Sequence, residues 1–376
     1  MRARNSHPTP ARITSVDAFR GMTIVAMILV NNPGSWKTVY WPLLHADWHG
    51  WTPTDLIFPF FLFIVGAAVV LAFGRRLEAG ADRRSLVVKV ARRAAILFAL
   101  GLFLNGYPFG LFGPRPFERL LETWRVPGVL QRIAVCYLAA SVMFLYLRRR
   151  TLAFWTVVLL AGYWALMTLV PVPGRGAPDL DSHDGHLAGW VDRAVLGSHM
   201  WFGGDRGYDP EGILGTIPAL ASTLFGVFAS LMLASPARLA ASGALLALAG
   251  YAWGFVFPIN KALWTSSYAV FTAGLAMCAL ALCHQVFDVG GHRAPARPFV
   301  IYGVNAITVF VGSGILARTL AYVTVCGRPL QAIIHESLFA SWLPPYAASL
   351  GYAVAWVAGW LAVLAWMYRR GWVLKV

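Results

Sequence analysis

Long apolar runs separated by short polar segments are the dominant pattern along this chain of 376 residues. Runs of about 20 apolar residues have the length of a helix that crosses a bilayer, and they favour helices over a barrel. We predict ten spans, at about 17–33, 55–74, 88–105, 127–147, 152–170, 212–233, 237–257, 265–284, 299–320 and 346–368. An even number of spans places both termini on the same side of the membrane.

Composition leads to the same fold class. Hydrophobic residues make up 58% of the chain and charged residues 12%, with a mean hydropathy of +0.62, whereas soluble domains carry about 25% charged residues. We therefore predict an all-α polytopic membrane protein in which residues 1–376 form a single transmembrane domain. The first apolar run lacks a small-residue cleavage site, so we expect it to be retained as a helix.

Basic residues are concentrated on one predicted face. The two predicted termini and the loops after even-numbered spans hold 20 of the 31 Lys and Arg residues but only four of the 16 acids. The positive-inside rule then predicts cytoplasmic termini and a basic inner loop at 75–93. We expect the membrane to be the inner (cytoplasmic) membrane of the cell. This asymmetry accounts for the formal charge of +15 without a nucleic-acid partner. The predicted outer loops are 34–54, 106–126, 171–211, a short one near 258–264, and 321–345.

A Trp-rich, Pro-broken segment joins the first two spans and carries His45, Asp47 and His49. A histidine in an outward loop at the membrane surface is suited to general-base catalysis, and the alternative is an interfacial histidine paired with a carboxylate. Two histidines four residues apart can also share a metal on a helix. Nearby prolines and glycines argue against a stable helix, so we expect no metal. Asn31, which ends the first span, is either a helix terminus or an oxyanion donor.

Several polar residues lie inside or at the start of apolar runs. Asp17 and Arg20 have the spacing of an intrahelical ion pair, or they line the mouth of a cavity for a phosphate-bearing cofactor. Gln131 and Arg132 enter the fourth span, where an arginine indicates function unless its side chain extends to the interface. Asn305 interrupts the ninth span, and a buried amide needs a partner from another helix or a ligand.

The outer loops hold most of the remaining candidate chemistry. Loop 171–211 combines aromatic residues with an acidic rim, which suits a hydroxylated or cationic ligand: Asp179, Asp181, Asp184, Asp192, Asp205, Asp209 and Glu211. The last two also lie where acids cap a helix N-terminus. Asn260 is a candidate cap for the eighth span, whereas Lys261 in a very short loop has no such structural explanation. The four cysteines form no CxxC motif and indicate neither a disulfide framework nor a metal site.

Six motifs in order resemble the heparan-alpha-glucosaminide N-acetyltransferase family, including its bacterial NagX-type members, within the wider group of transmembrane acyltransferases. They are SVDAFRGMTI (15–24), HADWHGWTPTDLIFPFFLFIVG (45–66), RVPGVLQRIAV (125–135), YDPEGILGTI (208–217), PINKALWTSSY (258–268) and YGVNAITVFVG (302–312). The motifs are spread over nearly the whole chain, which makes the resemblance specific.

The resemblance implies transfer of an acetyl group from cytoplasmic acetyl-CoA to the amine of a terminal glucosamine across the membrane. His45 matches the catalytic histidine of the family and Asn31 its asparagine after the first helix, while Asp47 or Asp55 would orient the imidazole. His49 stands where the animal enzymes carry Asn. The candidates for binding CoA are Asp17, Arg20, Gln131, Arg132, Asn305 and Ser313, the last at a position where other members carry His. The candidates for binding the acceptor are Tyr208, Asp209, Glu211, Asn260, Lys261 and Trp264.

Several alternatives stay open at this point. Direct attack by the amine and an acetyl-histidine intermediate both fit the chemistry. The same sequence features are compatible with an O-acyltransferase of a cell-envelope glycan, an amino-sugar permease or a non-catalytic membrane scaffold. The expected partners are a CoA thioester, an amino-sugar or glycan acceptor and the bilayer, and the oligomeric state, including a homodimer, is left open.

Overall fold

The computed structural model describes residues 13–111 and 117–374. Four basic residues of the predicted inner face and part of the outer loop 106–126 lie outside the described residues, namely Arg2, Arg4, Arg12, Lys375 and 112–116. The described part is predominantly helical, as predicted. Its strands are short: β1 (Thr324–Val325) and β2 (Arg328–Pro329) pair antiparallel with Thr324 opposite Pro329.

The described α-helices run as follows in chain order: α1 (Thr14–Asn31), α2 (Ile57–Glu78), α3 (Arg83–Gly106), α4 (Phe117–Thr123), α5 (Val129–Tyr146), α6 (Arg149–Leu169), α7 (Leu187–Leu196), α8 (Thr216–Leu231), α9 (Pro236–Trp253), α10 (Ser266–Cys283), α11 (Arg293–Val304), α12 (Ala306–Tyr322), α13 (Leu330–His335) and α14 (Pro345–Arg369). Single turns of 3₁₀-helix lie at Trp41–Leu43, Pro53–Leu56 and Trp201–Gly204, and π-helical turns at His284–Val289 and Glu336–Ala340 follow α10 and α13.

Local sequence explains where several helices begin. The side chain of Asp82 caps α3 by accepting hydrogen bonds from the backbone N–H groups of Arg84 and Ser85, at 3.3 and 2.9 Å. Pro236 and Pro345 stand at the first positions of α9 and α14, where a missing N–H costs no hydrogen bond.

Five helical segments of the described chain are long and apolar enough to cross a membrane: Pro53–Glu78, Val129–Tyr146, Arg149–Leu169, Ser266–Val289 and Pro345–Arg369. The bent pair α11 and α12 adds a sixth if it is counted as one span. The chain is therefore a multi-pass helical membrane protein by length and composition. The total of ten spans and the cytoplasmic position of both termini stay predictions.

The predicted ninth span is wrong as a single helix. α11 and α12 meet at Asn305 with a bend of 68°. The Asn305 side chain accepts a hydrogen bond from the N–H of Leu374 at 3.1 Å and donates one to the carbonyl of Trp372 at 3.2 Å. The buried amide thus finds its partners in the backbone that follows α14, and it fixes that segment at the bend.

Glycines allow the central helices to pack with their backbones in contact. A Cβ at Gly66 of α2 would lie 1.8 Å from the carbonyl oxygen of Thr223 in α8, and one at Gly226 would lie 1.8 Å from that of Phe63. Small residues at such crossings are typical of membrane helices, where close van der Waals packing replaces the hydrophobic effect. This crossing fixes α2, whose N-terminal end carries the site described below.

We expect Gly66→Ala to lower the thermal unfolding midpoint in detergent, because overpacking a close backbone crossing costs about 1–3 kcal/mol. Gly74→Ala in the same helix is the matched control, since a Cβ there meets nothing within 4 Å. Size-exclusion chromatography after heating would measure both midpoints. Equal midpoints for the two variants would contradict the close α2–α8 crossing.

Candidate active site

His45 and Asp55 form the centre of the site. The imidazole Nδ1 donates a hydrogen bond to Asp55 Oδ1 at 2.6 Å, and the other carboxylate oxygen accepts from the N–H groups of Ala46 and Thr52 at 3.0 and 2.9 Å. The side chain of Asp55 is 1% exposed, whereas that of His45 is 51% exposed. A buried, fully bonded carboxylate therefore orients an imidazole that a substrate can reach.

The local sequence builds this arrangement through a helix start. Thr52 and Asp55 form a capping box around the 3₁₀ turn Pro53–Leu56, which leads directly into α2. The hydroxyl of Thr54 donates to the carbonyl of Pro42 at 2.9 Å, so the loop that carries His45 is tied to the same turn. Trp48 anchors the loop on its other side, because its indole N–H donates to the carbonyl of Leu180 at 2.8 Å.

Lys261 completes the polar cluster from a distant part of the sequence. Its Nζ lies 2.9 Å from Nδ1 and 3.1 Å from Nε2 of His45, and 3.6 Å from Asp55 Oδ1. Each ring nitrogen can take part in one in-plane hydrogen bond. An ammonium this close to both nitrogens of one small ring lies over the ring face, outside the plane in which Nδ1 donates to Asp55 and Nε2 carries its lone pair. Burial lowers the pKa of Lys261, and the charges of Asp55 and Glu211 oppose that effect.

A cavity of about 180 Å³ lies in front of this cluster and also contains Asn31 and Glu211. Its remaining lining is apolar and comes from α1, α2, α5 and α12, together with Thr54: Met27, Val30, Ile57, Phe58, Phe61, Val129, Ile133 and Phe310. Asn31 is exposed at the end of α1, whereas the amide of its neighbour Asn32 is buried and donates to the carbonyl of Ile28 at 2.7 Å. The two adjacent asparagines thus have different environments, and Asn31 is the one that faces the cavity.

Arg125 holds the wall behind Glu211. Its guanidinium makes a bidentate pair with the fully buried carboxylate of Asp209, at 2.9 and 2.6 Å, and also bonds the carboxylate of Glu211. Burial lowers the pKa of Arg125, but the charges of Glu211 and Asp209 outweigh it and raise the pKa above its ordinary value. Arg125 is not among the site residues predicted from the sequence, although it begins the RVPGVLQRIAV motif and stands shortly before a Pro–Gly pair in a predicted outer loop.

The other acceptor-binding candidates lie in the protein interior. Asn260 is fully buried and accepts from the N–H of Leu263 at 2.9 Å, while Trp264 is 1% exposed and donates to Ser222 Oγ at 3.1 Å. Tyr208 is 4% exposed and packs against Trp48, with ring centroids 5.3 Å apart. Of the six candidates, Glu211 and Lys261 line the cavity at His45.

The residues predicted to bind CoA lie in different helices and have their own partners within the protein. Arg20 pairs with Asp17 at 3.2 Å and donates to the carbonyl of Gly303 at 3.1 Å, which joins α1 to α11 near Asn305. Ser313 is buried in α12, where its hydroxyl donates to the carbonyl of Phe310 at 3.3 Å. Asp17, Arg20, Asn305 and Ser313 thus have partners within the protein, and none of them lines the cavity at His45.

Gln131 and Arg132 are buried near the start of α5. Gln131 donates to the carbonyl of Val126 at 3.0 Å, and Arg132 donates to that of Gly212 at 2.9 Å while lying 5.1 Å from the ring of Trp264. Two nitrogens of Arg132, Nε and Nη1, are buried without a hydrogen-bond partner among the described residues. Both side chains connect α5 to neighbouring loops and lie outside the cavity lining.

Asp47 is exposed, so the imidazole is oriented by Asp55. His49 pairs with Asp181 at 2.9 Å instead of sharing a ligand with His45. Several acids of the predicted rim also have partners within the protein: Asp184 pairs with Arg175, and Asp192 accepts from the N–H of Ile213. Within residues 13–111 and 117–374, no group of three or more His, Cys, Asp or Glu side chains has the arrangement of a metal site.

Comparison with known proteins agrees with the motifs. Residues 12–234, more than half of the chain, match the family described as "Heparan-alpha-glucosaminide N-acetyltransferase, catalytic". The chain is 33% identical over 359 residues to heparan-alpha-glucosaminide N-acetyltransferase of Homo sapiens, an alignment that covers 81% of this chain and 53% of that protein. For the protein of the same name from Mus musculus, identity is 31% over 361 residues, covering 81% and 54%. The chain spans about half the length of these curated relatives. It belongs to the heparan-alpha-glucosaminide N-acetyltransferase family.

Proposed function

We propose that the protein is a transmembrane acetyltransferase that moves an acetyl group from acetyl-CoA to the amine of a glucosamine-type sugar. One observation carries the proposal: a single cavity contains an imidazole oriented by a buried carboxylate, an exposed amide and an ammonium. A base together with donors for a developing negative charge is the equipment that acyl transfer requires. Family membership supports the same activity, since the relatives named above are N-acetyltransferases.

In the proposed reaction, His45 acts as the general base through Nε2. The neutral amine of the acceptor attacks the acetyl carbonyl carbon, and Nε2 takes the proton that the nitrogen loses. The tetrahedral intermediate then collapses, the bond between carbon and sulfur breaks, and the imidazolium returns the proton to the departing CoA sulfur. Asp55 stabilises the imidazolium through the hydrogen bond that it accepts from Nδ1. The proton of that bond stays on Nδ1 throughout, so Asp55 does not become protonated.

Asn31 and Lys261 would stabilise the oxyanion. An amide N–H or an ammonium aimed at the developing charge is typically worth a factor of about 10²–10³ in rate. In the structure, the Lys261 ammonium lies against the imidazole of His45 and near the carboxylate of Asp55. We therefore propose that the ammonium moves away from the imidazole when the substrates bind and then faces the carbonyl oxygen.

The size of the cavity bears on how the donor binds. Pockets that enclose a drug-sized ligand measure about 300–1,000 Å³, so a cavity of about 180 Å³ has room for the acetyl thioester and the acceptor amine but not for the nucleotide of CoA. The exposed basic residues at 75–93 offer a surface for the nucleotide phosphates. Arg20 and Asn31 lie about 17 Å apart along α1, at about 1.5 Å per residue, and the pantetheine arm would bridge that distance.

Glu211 is the proposed contact for the acceptor. Its carboxylate lines the cavity and lies close enough to Lys261 to affect the pKa of that ammonium. A carboxylate held by Arg125 can accept a hydrogen bond from the sugar amine or a neighbouring hydroxyl, and thereby turn the amine towards Nε2 of His45. The acceptor would approach from the outer face, opposite the basic loop at 75–93.

We expect His45→Ala to lower kcat by about 100-fold or more, because a positioned general base contributes about 10²–10⁴ in rate. Purified protein would be assayed with radiolabelled acetyl-CoA and glucosamine. His49→Ala is the matched control from the same loop, since His49 pairs with Asp181 outside the cavity. Near-normal transfer by His45→Ala would remove this residue from the mechanism, and ping-pong kinetics with a trappable acetyl-enzyme would favour a covalent relay over direct attack.

We expect Asn31→Ala and Lys261→Met each to lower kcat by about 10²–10³ with little change in KM, as for the loss of an oxyanion donor. Lys37→Met is the control, a lysine of the same outer segment that does not line the cavity. Initial rates at varied glucosamine and acetyl-CoA would separate kcat from KM. If Lys261→Met changes only the KM for glucosamine, Lys261 binds the acceptor and does not stabilise the oxyanion.

We expect the β1–β2 turn to face outwards and the loop before α3 to face the cytoplasm. Cys326 is exposed in that turn and should react with a membrane-impermeant maleimide on intact cells. Ala79→Cys, placed at an exposed position in a Cys326→Ser background, should react only after the membrane is opened. Labelling of Ala79→Cys on intact cells would reverse the proposed orientation.

A further inference from the structure

The first turn of α2 lacks one backbone hydrogen-bond donor. In an α-helix, each carbonyl accepts from the N–H group four residues later, so the carbonyl of Asp55 would be bonded by residue 59. That residue is a proline, which has no N–H group. The 3₁₀ turn Pro53–Leu56 continues directly into α2 at Ile57, so the Asp55 carbonyl lies inside the helical segment and needs a donor from elsewhere.

The hydroxyl of Tyr268 is that donor. It donates a hydrogen bond of 2.5 Å to the carbonyl oxygen of Asp55, from a position 213 residues further along the chain. Tyr268 is the third residue of α10, and its side chain is fully buried. A buried carbonyl without a partner costs about as much free energy as a lost hydrogen bond. A side chain of α10 therefore replaces the N–H group that Pro59 lacks in α2.

This hydrogen bond acts on the residue whose side chain orients the imidazole. One carboxylate oxygen of Asp55 accepts from Nδ1 of His45, and the other accepts from the N–H groups of Ala46 and Thr52. The N–H of Asp55 itself donates to the carbonyl of Thr52 at 3.0 Å. With its carbonyl held by Tyr268, Asp55 is fixed through its main chain as well as its carboxylate. The imidazole thus takes its orientation from a residue that α10 keeps in place.

The segment that carries Tyr268 also carries Lys261. The turn before α10 is closed by a hydrogen bond of 3.1 Å from the N–H of Trp264 to the carbonyl of Lys261. Trp264 has a φ of 52°, a left-handed conformation that a bulky residue adopts only when its surroundings hold it. Its ring stands edge-on to those of Tyr268 and Phe58, with centroids 5.4 and 4.9 Å apart. Since Phe58 lines the cavity at His45, this segment packs as one unit against the start of α2.

We propose that Tyr268 is a positioning residue for acetyl transfer. Its hydroxyl holds the main chain at Asp55 and thereby aligns the imidazole of His45 with the cavity. Because Lys261 precedes Tyr268 in the same segment, the bond also fixes the distance between the base and the ammonium. The inference rests on the proposed function, since the loss of alignment is measured as a loss of rate. A displacement of about 1 Å at a catalytic group can lower a rate by about 100-fold.

Tyr268→Phe removes the hydroxyl and keeps the ring. We expect kcat for transfer from acetyl-CoA to glucosamine to fall by about 10–100-fold, with little change in either KM, because the groups that bind the substrates remain. Tyr302→Phe is the matched control: Tyr302 is also buried, and its hydroxyl donates at 2.5 Å to the carbonyl of Val357 where α11 meets α14. Each variant leaves one carbonyl without its donor, so both should lower the thermal midpoint similarly, and only Tyr268→Phe should lower kcat.

Pro59→Ala distinguishes the hydrogen bond from the packing of the ring. This substitution supplies an N–H group four residues after Asp55, which can donate to the carbonyl that Tyr268→Phe leaves unpaired. We expect Tyr268→Phe combined with Pro59→Ala to recover most of the lost kcat, whereas a change at residue 59 cannot restore a packing defect in α10. Equal kcat values for the wild type and Tyr268→Phe, or a loss that Pro59→Ala leaves unchanged, would overturn the inference.

Hydrogen–deuterium exchange tests the contact without any transfer of acetyl groups. The N–H groups of Ala46 and Thr52 are bonded to the Asp55 carboxylate, so peptides that cover residues 45–56 should exchange faster in Tyr268→Phe than in the wild type. Tyr302→Phe should leave the exchange of these peptides unchanged. Faster exchange in Tyr268→Phe with no transfer by the wild type would uphold the positioning of Asp55 and contradict the acetyltransferase proposal. Unchanged exchange in Tyr268→Phe would overturn the inference.

Discussion

The hydrogen bonds of the Asp55 carboxylate are the interaction on which the site depends. One oxygen holds Nδ1 of His45, and the other closes the capping box at the N-terminal end of the α2 segment. The geometry of the base is thereby coupled to the start of a helix whose position is fixed by the close glycine crossing with α8. A buried carboxylate is tolerated there because backbone N–H groups and the imidazole satisfy it. The helix start needs the carboxylate, and the imidazole takes its orientation from it.

The Arg125 cluster plays the corresponding part on the other side of the cavity, where the acceptor is proposed to bind. Asp209 is fully buried, and its carboxylate also accepts from the N–H of Trp201 at 2.8 Å and from that of Glu211 at 2.9 Å. Arg125 is thus held by a carboxylate whose own position is fixed by backbone hydrogen bonds. The same guanidinium then positions Glu211, which is only partly buried and lines the cavity at His45. Neutralisation by Arg125 allows the Glu211 carboxylate to line the cavity without leaving an unpaired negative charge among its apolar walls.

Much of the fold could be predicted from the sequence because apolar length is a local property. The predicted spans fall on helices, but a 20-residue window cannot detect that Asn305 binds the backbone beyond α14 and lets the ninth span bend. His45 and Asn31 were selected by motif and lie on one cavity, whose walls come from distant segments. The contact between Lys261 and His45 joins residues 216 positions apart, so no local pattern contains it. Asn260 and Trp264 belong to the same PINKALWTSSY motif as Lys261, so the motif alone does not distinguish them. In the structure both side chains are buried, whereas Lys261 lines the cavity.

The position of Lys261 bears on the proposed reaction. Its ammonium lies over the imidazole and 3.6 Å from Asp55 Oδ1, so it is held at the centre of the polar cluster before any substrate binds. In the proposed mechanism, the carbonyl oxygen of the acetyl group gains negative charge as the amine attacks, and this oxygen then competes with Asp55 for the ammonium. Movement of Lys261 from the imidazole to that oxygen would stabilise the intermediate, while Nε2 of His45 takes the proton of the amine in the plane of its ring. The same cluster would thus supply the base and the counter-charge from two different directions.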